Sequence, residues 1–141
     1  MTHPIITCLW FDGKAKEAAE YYCTIFKDSK ITGSNQLVST FEINGSKFMG
    51  LNGGPKFNFN ESVSFVINCK DQAEVDYYWN ALTANGGQES SCGWCKDKYG
   101  LSWQVVPVEY FALINNADPK VREKAMKNTL QQKKIILEEL K

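Results

Sequence analysis

Cys92-Gly93-Trp94-Cys95 is the chain's one Cys-x-x-Cys motif and its most obvious candidate for redox or metal chemistry. A reactive pair of this kind wants its first thiol at a helix N-terminus, where the dipole lowers the pKa. Here the pair falls on a strand leading into a turn. Residues i and i+3 of an extended strand also point to opposite faces. A zinc site would call for a second Cys-x-x-Cys, and the sequence has none. The single histidine, His3, sits beside Pro4 near the N-terminus. One terminal imidazole leaves the ordinary Ser-His-Asp and Cys-His arrangements without their base.

What remains is polar contact from a strand. After the turn residues Asp97-Lys98-Tyr99-Gly100, Leu101, Trp103 and Val105 alternate with Ser102, Gln104 and Val106. Such alternation marks a strand with one face on a core. Pro107, which has no N–H to donate, is expected to end the ladder.

The elements that must position this strand follow from the same patterning. Strands are expected at 5–11, 31–32, 37–43, 47–51 and 62–69. Asn44-Gly45 is a strong two-residue hairpin signal. Helices are expected at 14–26 and 71–84, the second capped by Asp71 and closed by Asn85-Gly86-Gly87. Asp118-Pro119 starts a last helix expected over 119–140. Its apolar stripe (Val121, Ala125, Met126, Leu130, Ile136, Leu137, Leu140) reads as a packed or partner-facing surface, not a nucleic-acid arm.

The order strand, helix, strands occurs twice, and the copies align. Leu9-Trp10-Phe11-Asp12 matches Phe65-Val66-Ile67-Asn68. Ala19-Glu20-Tyr21-Tyr22 matches Val75-Asp76-Tyr77-Tyr78 at the same offset, and Asn44-Gly45 matches Tyr99-Gly100. Two βαβββ modules are the simplest account. The expected layout is a single domain over 1–141, with module one near 4–55, module two near 61–108 and a helical extension near 109–141.

Composition sets the outer limits. The chain has 141 residues with 43% hydrophobic and 13% aromatic content, enough for a packed core. Sixteen basic and sixteen acidic residues cancel, which argues against a nucleic-acid partner. No apolar run is long enough for a membrane span. Met1-Thr2-His3-Pro4 lacks the regions of a signal peptide, so a cytoplasmic location is expected. Five cysteines, an odd number, are then most simply free thiols.

The paired modules resemble the vicinal-oxygen-chelate superfamily of glyoxalase, bleomycin-resistance and extradiol dioxygenase proteins. Within it they look like the PhnB-like subfamily labelled 3-demethylubiquinone-9 3-methyltransferase. Leu9-Trp10-Phe11-Asp12-Gly13, Leu51-Asn52-Gly53-Gly54-Pro55, Gln72-Ala73-Glu74-Val75-Asp76-Tyr77-Tyr78-Trp79 and the stretch from Cys92 to Pro107 carry the resemblance. It implies an α+β fold of two βαβββ modules forming cupped mixed sheets, with helices outside and a C-terminal helix added. It also implies a homodimer, with each cup closed by a second copy.

The resemblance places the ligand positions of metal-dependent relatives at Ile6, Met49, Ser62 and Gln104. None is His, Asp or Glu, and a neutral amide plus a thioether is a poor donor set for a divalent ion. No metal or other cofactor is expected. Methyl transfer normally uses a nucleotide crevice with a glycine-rich strand-to-helix turn. Asn52-Gly53-Gly54-Pro55 reads instead as a turn between antiparallel strands.

The helix-facing set (Leu9, Phe11, Phe48, Phe65, Ile67, Trp103, Val105) is wholly apolar, whereas the opposite set is smaller and more polar. A pocket with apolar walls and a few polar groups is expected there. Its candidate ligand contacts are Cys8, Trp10, Met49, Leu51, Phe57, Phe59, Ser62, Ser64, Cys92, Trp94, Ser102 and Gln104. The leading expectation is a small-molecule-binding protein. The alternative is a metal-free enzyme using Gln104, Ser62 or Cys92, none of which has an evident base. A metal-dependent lyase or dioxygenase is disfavoured. Phe57 and Phe59 are expected near the cup mouth or the dimer interface.

Overall fold

A computed structural model describes residues 2–141; Met1, part of the signal-peptide reading, lies outside the described residues. The chain divides into two compact units, one running through Phe59 and the other from Asn60 to Lys141.

The first unit contains β1 (Thr7–Phe11), α1 (Ala15–Ile25), β2 (Ser29–Ser34), β3 (Val38–Ile43) and β4 (Ser46–Asn52). Its sheet order is β1-β4-β3-β2, with β1 parallel to β4 and the other pairs antiparallel. Asn44 and Gly45 both take positive φ, 48° and 83°, as a two-residue hairpin turn between β3 and β4 requires. The helical face of the sheet is closely packed. Ala15, Ala18, Ala19 and Tyr22 of α1 are fully buried, and so are Phe41 and Gly50 from the strands. A Cβ on Gly50 would lie 3.1 Å from the Ala15 Cβ, so glycine lets helix and sheet approach there.

The second unit repeats the plan with β5 (Ser64–Cys69), α2 (Gln72–Thr83), β6 (Gln88–Glu89), β7 (Trp94–Lys96) and β8 (Ser102–Pro107). Its order, β5-β8-β7-β6, reproduces that of the first sheet, again with the outer first strand parallel to the last. The inferred duplication is therefore present at the level of topology. Asp71 caps α2, accepting from the Glu74 N–H at 2.9 Å. Val75, Trp79 and Leu82 of α2 are buried together with Ile67, Trp103 and Val105.

The C-terminal part differs from its expectation. Pro107 does not merely end β8: it is still in register with Cys69 and caps a helix the patterning missed, α3 (Val108–Ile114). Asp118 caps α4 as expected, accepting from the Lys120 N–H at 2.9 Å, but α4 (Pro119–Thr129) stops well short of residue 140. Beyond it the chain runs along the second sheet. The Gln132 and Lys133 carbonyls accept from the Cys92 and Gly93 N–H groups at 2.8 Å each, and a 3-10 turn closes the chain at Leu137–Leu140. Tertiary hydrogen bonds here outcompete helix propagation. The apolar stripe is divided accordingly. Ala125, Leu137 and Leu140 form a core with Val106 and with Ile135, which the stripe did not include, while Ile136 is half-buried and Leu130 is 74% exposed.

Candidate functional site

Residues paired in register on neighbouring strands put their side chains on the same face of a sheet. In the first unit this joins Cys8 to Met49 and Trp10 to Leu51, with Thr40 and Val38 of β3 next in line. Cys8 is exposed, while Trp10, Met49 and Leu51 are half-buried on the face away from α1. Trp10 is held firmly. Its Nε1 donates to the Gly54 carbonyl at 2.8 Å, and Phe57 meets its ring edge-on with centroids 4.9 Å apart. A Cβ on Gly53 would lie 2.4 Å from that ring, so only glycine fits beneath it.

The Asn52-Gly53-Gly54-Pro55 loop is thus an internal brace, not a turn between paired strands. The Asn52 Oδ1 accepts from the Ala15 N–H at 2.9 Å, capping α1 from across the unit, and the Gly53 N–H donates to the Phe11 carbonyl at 3.0 Å. Sequence reasoning missed the cap. The signal was available, because α1 begins after Lys14, which supplies no side-chain cap of its own. The segment after the loop sends its two aromatics to different places. Phe57, 56% exposed, joins Trp10, whereas Phe59 packs on Phe11 with centroids 5.4 Å apart. Phe11 belongs to the buried, helix-facing set, so Phe59 is not brought to the Trp10 face.

In the second unit the register joins Ser64 to Ser102 and Trp94 to Gln104. The Gln104 Nε2 donates to the Ser64 Oγ at 2.9 Å, and its amide oxygen receives no hydrogen bond from the described residues. Trp94 and Ser102 border a cleft of about 150 Å³, together with Glu61, Gln88, Glu89, Ser90, Cys95 and Lys96. The Lys96 Nζ lies 2.7 Å from the Glu61 Oε1, and that hydrogen bond and charge hold the Glu61 carboxyl below the usual carboxylate range. Ser102 is buried, and its hydroxyl has no hydrogen-bond partner among the described residues.

Two expected contacts do not join this face. Ser62 precedes β5 in an exposed turn, where its N–H and hydroxyl both donate to the Asn60 Oδ1 at 2.9 and 2.6 Å. The expected strand over 62–69 therefore begins two residues later, at Ser64. Cys92 sits in the turn before β7 with φ of 60°, and its backbone is committed to the C-terminal segment. Cys92 and Cys95 are both free thiols. Burial, then the nearby charges of Asp97 and Glu89, pushes the Cys95 thiol up to about 12, which leaves it inert at neutral pH. Lys96, two residues after Trp94 and on the same face of β7, was not among the expected contacts.

Solved structures share this architecture. A PhnB protein from Bacillus cereus is 28% identical over 75% of this chain and all of its own, with a TM-score of 0.65. A glyoxalase-related enzyme from Fulvimarina pelagi is 15% identical over 77% of this chain and 91% of its own, with a TM-score of 0.55. The fosfomycin resistance protein FosX from Listeria monocytogenes, solved with Mn(II) and sulfate, is 15% identical over 73% of this chain and 87% of its own, with a TM-score of 0.53. These last two share the fold alone. No curated protein matches the chain. The model of one family, however, spans residues 3–106, covering β1 through nearly all of β8. By that match and by its duplicated βαβββ fold, this chain belongs to the 3-demethylubiquinone-9 3-methyltransferase family.

Proposed function

We propose that the chain is a small-molecule-binding protein of the glyoxalase and bleomycin-resistance type, holding its ligand on the open sheet faces without a metal ion. One observation supports this most directly. Gln104 is the only residue of β8 that is not buried, and it lies on the face away from α2 beside the half-buried Trp94. A hydrogen-bonding amide next to an aromatic wall suits a ligand with both polar and apolar parts. The candidate contacts of the second unit are Ser64, Trp94, Ser102 and Gln104; those of the first, taken by itself, are Cys8, Trp10, Met49, Leu51 and Phe57.

The residues do not fit a catalytic metal. Ile6, Met49, Ser62 and Gln104 offer a thioether, a hydroxyl and a neutral amide, where a divalent ion needs anionic or imidazole donors. Among the described residues no three His, Cys, Asp or Glu side chains gather to replace them. A metal-free enzyme is less well supported than a binder. The Ser64 hydroxyl is bonded to Gln104 and the Ser102 hydroxyl to no described residue, so neither has a base to activate it. For methyl transfer, the Gly53-Gly54 backbone is already bonded to Trp10 and Phe11 and cannot cradle a nucleotide.

A thermal-shift screen of small aromatic and amphiphilic compounds, run with EDTA and with added divalent ions, tests the reading. Stabilising compounds that act equally in both conditions are expected. Hits that need a divalent ion would overturn the metal-free part, and no hits in either condition would overturn the binding part. The reading includes a homodimer and a cytoplasmic setting in which the free thiols stay reduced. The exposed Phe57 ring and the exposed Val66 side chain are apolar surface of the kind a second copy covers. Sedimentation at micromolar concentration checks this, and a clean monomer contradicts it.

A further inference from the structure

The register carries one row of side chains across all four strands of the second sheet: Ser64, Ser102, Lys96 and Gln88. Alternation sends Glu89 and Cys95 to the other face, where the Glu89 Oε1 accepts from the Trp79 Nε1 at 2.8 Å. The row therefore holds one cation among two hydroxyls and an amide. Its counter-ion comes from outside the sheet. Glu61, in the turn before β5, reaches the Lys96 Nζ at 2.7 Å, and its side chain is 63% exposed against 32% for Lys96. An ion pair with so exposed a carboxylate contributes little and exchanges easily. Beside it, Ser102 is 1% exposed and its hydroxyl is unpartnered among the described residues. Buried hydroxyls without a partner are rare in folded proteins.

We infer that this cleft is a carboxylate site whose own Glu61 carboxylate stands in for the ligand's. A small organic acid would place its carboxylate on the Lys96 Nζ, displacing Glu61, and accept a hydrogen bond from the Ser102 hydroxyl. Trp94, on the neighbouring row, would lie beside the apolar part of the acid. Lysine suits this exchange because its ammonium is a point charge with three donors and imposes no fixed fork on its partner. The inference rests on the small-molecule reading above and narrows it to acids.

Benzoate and its neutral counterpart benzamide, titrated at pH 7 and followed by calorimetry and ligand-observed NMR, test it on the full chain. Benzoate is expected to bind and benzamide to bind more weakly by about tenfold or more, the usual scale for a charge-assisted hydrogen bond. Lys96→Met should abolish the preference, and Ser102→Ala should weaken benzoate. Glu61→Gln removes the competing carboxylate and should tighten benzoate by about two- to fivefold, the range of an exposed ion pair. Glu61→Gln changes only an exposed turn, so this arm can be read even where a buried substitution fails to fold. Equal binding of the two probes, or benzoate affinity indifferent to Glu61→Gln and Lys96→Met, would overturn the carboxylate site while leaving the wider binding reading standing. Benzoate that does not bind at all would also overturn it, and the compound screen then decides the wider reading separately.

Discussion

The Gln104 side-chain amide donates to the Ser64 hydroxyl across the parallel pair β5 and β8 at 2.9 Å. Gln104 is directly opposite Val66 in the register, so the amide reaches along the strand to the neighbouring row. That bond fixes an otherwise mobile side chain on the open face and orients its second polar atom. Because the bond is only part-buried, Gln104→Leu should change stability by less than about 1 kcal/mol. It should nonetheless weaken any compound that stabilises the native chain. Urea denaturation and thermal-shift titration on the same variant separate the two effects. A large fall in the urea midpoint would show that Gln104 serves the fold instead.

Asp97 carries a different kind of weight. It is 2% exposed, and its carboxylate accepts from the Tyr99 N–H, the Leu101 N–H and the Trp103 Nε1 at 2.9, 3.1 and 2.9 Å. One side chain thereby shapes the turn before β8 and anchors the largest core residue of that strand. Asp97→Asn keeps the oxygen for the two backbone donors but sets an amide N–H₂ against the indole N–H. The expected cost is about 1–3 kcal/mol, the range for leaving a buried donor unpaired. It would be read as a lower urea midpoint at unchanged slope.

How far the sequence reaches can be judged from particular residues. Asn44-Gly45, Asp71 and Asp118-Pro119 were legible because each acts on its own backbone within a few residues. The duplicated order of strands and helices was legible because period-2 and period-3.6 patterns survive in both copies. The end of α4 was not. Its boundary is set by the Cys92 and Gly93 N–H groups, some forty residues away in the chain, and no local pattern encodes that pairing. Ser62 was misplaced for a simpler reason. Asn60, two residues earlier, captures its backbone and hydroxyl and delays the strand. Within the candidate site, Ser102 and Gln104 were legible from the alternation after Leu101. The Lys96–Glu61 pair joins a strand to a turn distant in sequence, so its geometry required the fold.

The thiols give a prediction with a definite sign. Burial first, then the charge of Glu74, raises Cys69 to about 12 from its ordinary 9.0, the same level as Cys95. At pH 8, iodoacetamide should modify exposed Cys8 while Cys69 and Cys95 stay unmodified until the chain unfolds, as peptide mass spectrometry would read. Both buried thiols keep their protons in the folded chain, whereas an unfolded chain loses them above its ordinary value. Stability should therefore be complete below pH 9 and decline as pH rises from there toward about 12. The fall in urea midpoint between pH 8 and pH 10 should be smaller in a Cys69→Ala plus Cys95→Ala variant. An identical fall would assign the effect to other groups.

The C-terminal segment hangs on Gln72. At the first turn of α2, its Nε2 donates to the Ile135 carbonyl at 2.9 Å and its Oε1 accepts from the Leu137 N–H at 2.9 Å. The two bonds bracket Ile136 and hold Ile135, which is fully buried, against Gly93. Lys134 adds an ion pair to Asp76 at 2.8 Å, but both side chains are substantially exposed. Gln72→Ala removes both brackets and should cost about 2 kcal/mol, at roughly one per hydrogen bond. Lys134→Ala should cost less than about 1 kcal/mol. Hydrogen exchange gives the sharper reading. In Gln72→Ala, the Leu137 amide and the Cys92 and Gly93 amides that pair with the segment should exchange faster, while those of β5 and α2 stay protected. Uniformly faster exchange across the second unit would mean that the segment unfolds only with its sheet and that Gln72 stabilises the whole unit, not a local clasp.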